Sequence, residues 1–168
     1  MSAALVGISA CSDSPTDPPA DRLTEAEVSE LVDGLASVHA FDGGFPDNDP
    51  WPCPAGGVVA PQIFRAFGGH PTRVEVDGTA DYQACRVGPW TLDGPLAISV
   101  DFFLGPFGRV DGASGTSEGT LQWERSGRSG QCVIDLSVGF AQEDLSISGS
   151  ACGKTVTAQP VSWGAGGG

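Results

Sequence analysis

The chain has 168 residues, which fits one domain, and its 25 glycines and 13 prolines favour short strands and turns over a helical bundle. Eight Lys and Arg residues against 21 Asp and Glu give a formal net charge of −13. This balance excludes nucleic acid as an expected partner, because phosphate binding needs clustered cations. No apolar run reaches the about 20 residues that a membrane-spanning helix needs.

The first ten residues are small or apolar and uncharged, and Cys11 follows them directly. A stretch rich in Pro, Asp, Ser and Thr then continues to Asp21, which predicts an export segment followed by a solvated linker. The residues Ile8-Ser9-Ala10-Cys11 resemble a bacterial lipobox, in which an aliphatic residue and two small ones precede the modified cysteine. The resemblance implies cleavage after Ala10 and a diacylglyceryl group on Cys11, so that acyl chains hold the chain at a membrane of the cell envelope.

The N-terminal segment departs from the lipoprotein pattern in one respect. A signal peptide begins with a basic region and runs to about 15–30 residues, whereas no Lys or Arg precedes Cys11. We therefore expect residues 1–10 to be the end of a signal peptide whose start lies upstream. Residues 11–22 are expected to form the lipidated tether.

Residues 23–52 predict a helix followed by a loop. Thr24 and Glu27 form a capping-box pattern, with Thr24 as the N-cap, and Leu23 and Val28 are placed to form the hydrophobic staple. An isolated helix of about fourteen residues is marginal in water, so its apolar stripe is expected to dock on the β domain. Binding to a partner is the alternative. The stripe consists of Val28, Leu31, Val32, Leu35 and Val38.

The loop after the helix carries acidic residues. Asp42, Asp47 and Asp49, together with Asn48, offer only oxygen ligands, as calcium prefers. They lack the glycine and the terminal glutamate of an EF-hand loop. We therefore predict no metal and no cofactor, with these aspartates as the calcium candidates and a solvated acidic loop as the simpler interpretation.

Residues 53–163 predict a β domain, and residues 164–168 a flexible tail. Short alternating or apolar runs at 58–63, 73–76, 92–104, 120–123, 132–140, 145–150 and 155–161 are typical of strands. The strings V-D-G-T, L-D-G-P, V-D-G-A and I-S-G-S recur along them, which we interpret as successive strand-plus-turn units. The predicted fold is a mostly-β antiparallel meander that forms a sandwich or an open barrel. A β-solenoid is the competing fold, but it would need a stricter period.

The four cysteines of the β domain allow three disulfide pairings. In an antiparallel hairpin the partners lie equidistant from the turn. Pairing Cys53 with Cys85, and Cys132 with Cys152, puts both midpoints on turn-like sequence. We therefore predict these two disulfides, each at the mouth of a hairpin. Zinc is the competing use, but structural zinc sites bring cysteines in close pairs, which are absent here.

The cysteine motifs themselves resemble those of small β domains in bacterial lipoproteins. The matching strings are C-P-A-G-G, T-L-D-G, Q-C-V-I-D-L and A-C-G, between Cys53 and Gly153. The resemblance implies no particular activity.

Few residues point to catalysis. The histidines His39 and His70 have no serine elbow beside them, and Asp next to glycine is typical of turns rather than of acid catalysis. The carboxylates considered for glycoside hydrolysis are Asp77, Asp81, Asp93, Asp101 and Asp111.

Tryptophans are the candidate binding residues. Trp51, Trp90 and Trp123 are suited to stacking on a glycan or a partner, with core packing as the alternative, and Trp163 is the fourth. The expected function is a non-enzymatic binding or structural module in the cell envelope, facing the periplasm or the outside. Its partner would be an envelope protein, a glycan or an apolar ligand. A small apolar-ligand carrier and a hydrolase are the alternatives.

Overall fold

The computed structural model describes residues 22–38, 49–66, 72–106, 110–141 and 144–162. These residues form one helix and one antiparallel sheet in which the strands follow each other in chain order, so the predicted meander with an N-terminal helix is confirmed. The first and last strands do not pair within the described ranges, and the sheet is open. The elements are α1 (Glu25–Val38), β1 (Trp51–Pro52), β2 (Val58–Ala66), β3 (Arg73–Val87), β4 (Trp90–Leu104), β5 (Val110–Arg125), β6 (Arg128–Ala141), β7 (Asp144–Ala151) and β8 (Lys154–Ser162).

The strands are longer than the sequence pattern predicts, and the interpretation of the recurring D-G and S-G strings as turns is wrong. Gly78, Gly94, Gly112 and Gly149 lie inside strands β3, β4, β5 and β7. At Gly94 the backbone has φ +117°, and a Cβ there would lie 3.0 Å from the carbonyl oxygen of Thr120 on β5. The glycine thus permits a close strand contact instead of a chain reversal.

One face of the sheet, here called the helix side, packs against α1. Strand alternation points Tyr82, Leu92 and Leu121 to this side, where each is almost fully buried. From α1, the predicted stripe residues Val28, Leu31, Val32 and Leu35 are buried against them, so the predicted docking is confirmed. Gly34 lets the helix come close, because a Cβ there would lie 3.1 Å from Cγ2 of Val87.

The helix begins at the predicted cap. The backbone N–H of Glu27 donates to Oγ1 of Thr24 at 3.2 Å, and the N–H of Thr24 donates to Oε2 of Glu27 at 2.9 Å. These reciprocal bonds satisfy donors that the first turn leaves without intrahelical partners. Leu23 before the cap and Val28 after it are both buried, as the staple requires.

Both disulfides join the predicted partners. Cys53 pairs with Cys85 and Cys132 with Cys152, with Cα–Cα distances of 5.5 and 4.3 Å. The second bond lies beside the last paired residues of the β6–β7 hairpin, where Ile134 faces Ala151. The first joins the β1–β2 turn to β3, just beyond the Val58–Gln83 pair that ends the β2–β3 ladder.

Candidate functional site

The two disulfides lie towards the same end of the sheet, which we call the stapled end. The β3–β4, β5–β6 and β7–β8 turns are at this end, since neighbouring antiparallel strands reverse there. The helix also docks here, through the contact of Gly34 with Val87 near the end of β3. The stapled end therefore brings together the covalent links, the helix and the main core.

Two tryptophans form the centre of the core at the stapled end. Trp90 on β4 and Trp123 on β5 are 1% and 2% exposed, and their rings meet edge to face with centroids 5.9 Å apart. The guanidinium carbons of Arg125 and Arg128 lie 4.6 Å and 5.8 Å from the Trp90 and Trp123 ring centroids. These cation–π contacts cover the rings, so the two tryptophans act as core residues and not as an exposed stacking surface.

The same arginines connect the β5–β6 turn to the start of α1. Arg128 Nη1 donates to Oε1 of Glu27 at 2.8 Å, and its Nη2 donates to the carbonyl oxygen of Arg22 at 2.8 Å. Arg125 lies 2.8 Å from Oε2 of Glu30, a contact of opposite charges without the direction of a hydrogen bond. The backbone hydrogen bond from Thr24, more than the charge of Arg128, holds the pKa of Glu27 below its ordinary value.

A groove runs between α1 and the edge strand β8. Its volume is about 200 Å³, and its floor is formed by Val28 and Val32 of the helix with Ile147 and Val156 of the sheet. The rim is polar and charged. Glu25, Ser29 and Asp33 line it on the helix side, and Lys154, Thr155 and Thr157 on the sheet side.

Four consecutive residues, 154–157, line this groove on the sheet side. Side chains alternate between the two faces of a strand, so a wall made of consecutive residues is the strand's edge and not one of its faces. Within the described residues, β8 pairs with β7 alone, which leaves this edge without a neighbouring strand. The groove is therefore bounded by a helix on one side and by backbone on the other.

The backbone of Thr155 faces the groove. Cys152 and Gly153 form the two-residue β7–β8 turn with φ of 51° and 73°, as in type I′ hairpins. The closing pair of such a hairpin, here Ala151 with Lys154, exchanges its hydrogen bonds across the ladder. Alternation then directs the N–H and C=O of Thr155 outwards, away from β7.

Seven of the residues considered as sites lie outside the described ranges. These are Cys11, His39, Asp42, Asp47, Asn48, His70 and Trp163. Asp49 is exposed, and Trp51 is half-buried in β1, packed against the main core. In the described part of the chain, no three His, Cys, Asp or Glu side chains come together in an arrangement that could hold a metal ion.

The five candidate carboxylates lie in strands and do not form one cluster. Asp101 makes a two-point contact with Arg73 at 2.7 and 2.6 Å. Asp93 accepts the backbone N–H of Ala84, a residue with φ of 47° at the β3 bulge. Asp81 accepts from Gln83, and Asp77 and Asp111 are exposed. The turn interpretation is therefore wrong for the three that precede a glycine, Asp77, Asp93 and Asp111. Three of the five, Asp81, Asp93 and Asp101, have local structural partners.

Two features of the site were not predicted from the sequence. The groove arises from tertiary packing, because it joins the helix to the last strand more than a hundred residues later. The arginine contacts do have a sequence signal, since Arg125 and Arg128 flank the S-G pair of a two-residue turn and fall beside Trp123. Local sequence does not show that they contact Glu27, because Arg128 and Glu27 are 101 residues apart in the chain.

No protein-family model, no curated protein and no solved structure matches the chain. No helix among the described residues combines the length and the hydropathy needed to cross a membrane. The fold and the site define a disulfide-linked β-meander with a docked helix and, beside the groove, an open edge on β8.

Proposed function

We propose that the chain is an exported lipoprotein module that acts in the cell envelope by binding a partner and not by catalysis. The observation that carries this proposal is the pairing of all four β-domain cysteines. Disulfides persist in oxidising compartments outside the cytosol, so the pairing supports export. Cys11, in its lipobox-like context, is the fifth cysteine and belongs to neither of these pairs.

The position of the helix start agrees with a tether at the stapled end. Arg128, at the first position of β6, holds the carbonyl oxygen of Arg22. Ten residues lie between Cys11 and Arg22, and the eleven steps from one to the other span at most about 40 Å when the chain is fully extended. A lipid on Cys11 would therefore keep the domain close to the membrane, with the stapled end nearest the attachment point.

The roles of the described carboxylates support a non-catalytic module. Asp101 forms an ion pair with Arg73, and Asp93 accepts a hydrogen bond that stabilises the positive-φ backbone at Ala84. The groove beside β8, at about 200 Å³, is smaller than the about 300–1,000 Å³ typical of small-molecule pockets. It therefore supports recognition of a protein segment better than transport of an apolar ligand.

The test is the intact mass, without reduction, of the protein extracted from its native membrane, beside a Cys11→Ser variant. We expect a product that begins at Cys11, carries acyl chains and is lighter by the hydrogens of two disulfides. The variant should lose the acyl mass and leave the membrane fraction while keeping both disulfides. A wild-type chain with unmodified Cys11 and five free thiols would overturn both the export and the anchoring.

A further inference from the structure

The groove between α1 and β8 combines an apolar floor, an acidic helix rim and a strand edge that has no neighbouring strand among the described residues. We propose that it binds an extended segment of a partner protein, which adds to β8 as a further strand and carries an aliphatic side chain flanked by basic residues. The assignment rests on the proposed role as a binding module and names the surface and the class of partner.

The backbone of β8 offers hydrogen-bonding groups at the groove wall. Thr155 directs its N–H and C=O away from β7, at the groove wall, and its side chain is exposed. An extended peptide beside it can accept from that N–H and donate to that C=O, as in other cases of strand addition. Edge strands with free backbone groups are the usual templates for such pairing.

The floor of the groove is aliphatic and can hold an apolar side chain. Val28 and Val32 lie one helical turn apart, opposite Ile147 and Val156. In a paired strand, alternate side chains of the added peptide point to the same face, so one of them enters between the helix and the sheet. The cavity of about 200 Å³ fits a single aliphatic side chain together with part of its backbone.

The rim of the groove carries more carboxylates than cations. Glu25 and Asp33 place two carboxylates on the helix side, whereas Lys154 is the one ammonium group among the groove residues. No ion pair within the described residues neutralises these two carboxylates. The rim is therefore net acidic, as is the whole chain at −13, and it favours basic residues beside the inserted side chain.

A bulge limits the length of the paired segment. The register steps from Gly149–Val156 to Ile147–Gln159, so β8 carries one extra residue after Val156. Bulges twist an edge away from regular pairing. The added strand is therefore expected to pair along 154–156 and not along the whole of β8, which fits a short linear motif.

The test is fluorescence anisotropy of a labelled, blocked peptide of alternating lysine and valine, titrated with the full chain carrying unmodified Cys11. The matched probe has glutamate in place of each lysine. We expect the basic peptide to bind and the acidic one not to bind. Asp33→Lys should weaken binding by about two- to fivefold, the range of one exposed charge pair. Glu118→Lys, an equal charge change on the opposite face, should weaken it less.

The strand-addition step has its own variant. Thr155→Pro removes the outward N–H, which the β7–β8 ladder does not use, and should weaken binding by about fivefold or more. Thr155→Val keeps that N–H and should bind as wild type does. Unchanged circular dichroism would show that both variants fold.

Three outcomes would overturn the proposal. They are no binding of the basic peptide, equal binding of both peptides, and a Thr155→Pro variant that binds as wild type does. A chain that sediments as a dimer, and becomes monomeric on Thr155→Pro, would assign the edge to a second copy instead. None of these measurements involves the lipid, so their failure leaves the state of Cys11 and the anchoring to be judged separately.

Discussion

The two ends of the sheet are stabilised in different ways, although the same strands run through both. At the stapled end, two disulfides and the docked helix enclose one large core that has the Trp90–Trp123 pair at its centre. At the other end, here called the far end, a small separate cluster forms around Val74, Val76 and Phe102. One ion pair, between Arg73 and Asp101, lies beside that cluster on the outer face.

This difference shows that strand pairing alone does not fix where stability resides. β3 and β4 pair over most of their length, from Arg73–Phe103 to Val87–Trp90. The long-range links, by contrast, are concentrated near Cys85 and Trp90. Backbone openings of low free energy are expected where buried apolar contacts are few, so the far end should open locally while the stapled end opens with global unfolding.

Removing the disulfides should have the largest effect. Loops of 20 and 32 residues are worth about 3–4 kcal/mol each in the chain-entropy model. Full reduction should therefore remove a large part of the stability and lower the urea midpoint strongly, because domains of this size are stable by about 5–15 kcal/mol. Urea denaturation with and without reductant measures the loss.

A double Cys132→Ala, Cys152→Ala variant separates the two bonds. It should keep the fold and lose about 3 kcal/mol, because the Cys53–Cys85 bond remains. An unchanged urea midpoint after full reduction would contradict the view that the stapled end carries most of the stability.

The second prediction concerns the helix. Leu31 is completely buried between α1 and the sheet, and a Leu→Ala change in a core costs about 2–5 kcal/mol. Leu31→Ala should therefore destabilise the protein by this amount and raise hydrogen exchange in 85–92 of β3 and β4. Exchange at 73–77, at the far end, should keep its local opening free energy.

Val76→Ala is the matched change at the far end, at a residue that is 3% exposed. This variant should show the reverse pattern of hydrogen exchange. Amides at 73–77 should exchange faster through local opening, whereas amides at 85–92 should still exchange only through global unfolding. Identical exchange profiles in the two variants would mean that the sheet opens as a single unit.

The sequence predicts those parts of the fold that depend on local spacing. The cap at Thr24, the helix length and the apolar stripe follow from positions three or four residues apart. The disulfide pairing follows from hairpin symmetry, because the midpoints of both pairs fall between the joined strands.

The features that sequence reasoning missed depend on contacts distant in the chain. The sequence pattern predicts turns at Gly94 and Gly149, because glycine is typical both of turns and of close contacts between strands. Both have positive φ inside strands, and a Cβ on Gly149 would collide with the carbonyl oxygen of Asp135. Likewise, nothing local to Lys154–Ser162 shows that it is an edge strand beside a helix.

The third prediction concerns the charge of Glu27. Its pKa is lowered in the folded chain, so its contribution is present above the unfolded value near 4.5 and is lost as the pH falls through the folded pKa. Glu27→Gln keeps a capping-box side chain but removes the ionic contact to Arg128. At neutral pH we expect a loss of about 0.5–1 kcal/mol.

Urea denaturation at neutral pH and at about pH 3 checks this dependence, since the lower value is below the ordinary glutamate pKa and the contribution declines as the pH falls toward the folded pKa. The difference in free energy of unfolding between wild type and Glu27→Gln should narrow at the lower pH. Glu124→Gln, at an exposed site on β5, is the control and should show no such difference. A difference that does not narrow at about pH 3 would assign the effect to side-chain packing.

The smallest expected effect is on the outer face of the sheet. Glu118 on β5 lies directly opposite Asp135 on β6, and both side chains are exposed. Like charges in this position are destabilising, and an opposite pair is worth about 0.2–1 kcal/mol. Asp135→Lys should therefore raise the free energy of unfolding by about that amount.

A Glu118→Gln background distinguishes pairing from general charge. If pairing of the introduced lysine with the charge of Glu118 is responsible, Asp135→Lys should raise the free energy of unfolding less in that background than in wild type. An equal gain in both would instead reflect the reduced net charge of a chain at −13. A gain that depends on Glu118 would mean that the outer face keeps two carboxylates together against their repulsion. The acidity of that face would then be maintained at a cost in stability, which makes it a second surface to examine for cationic partners.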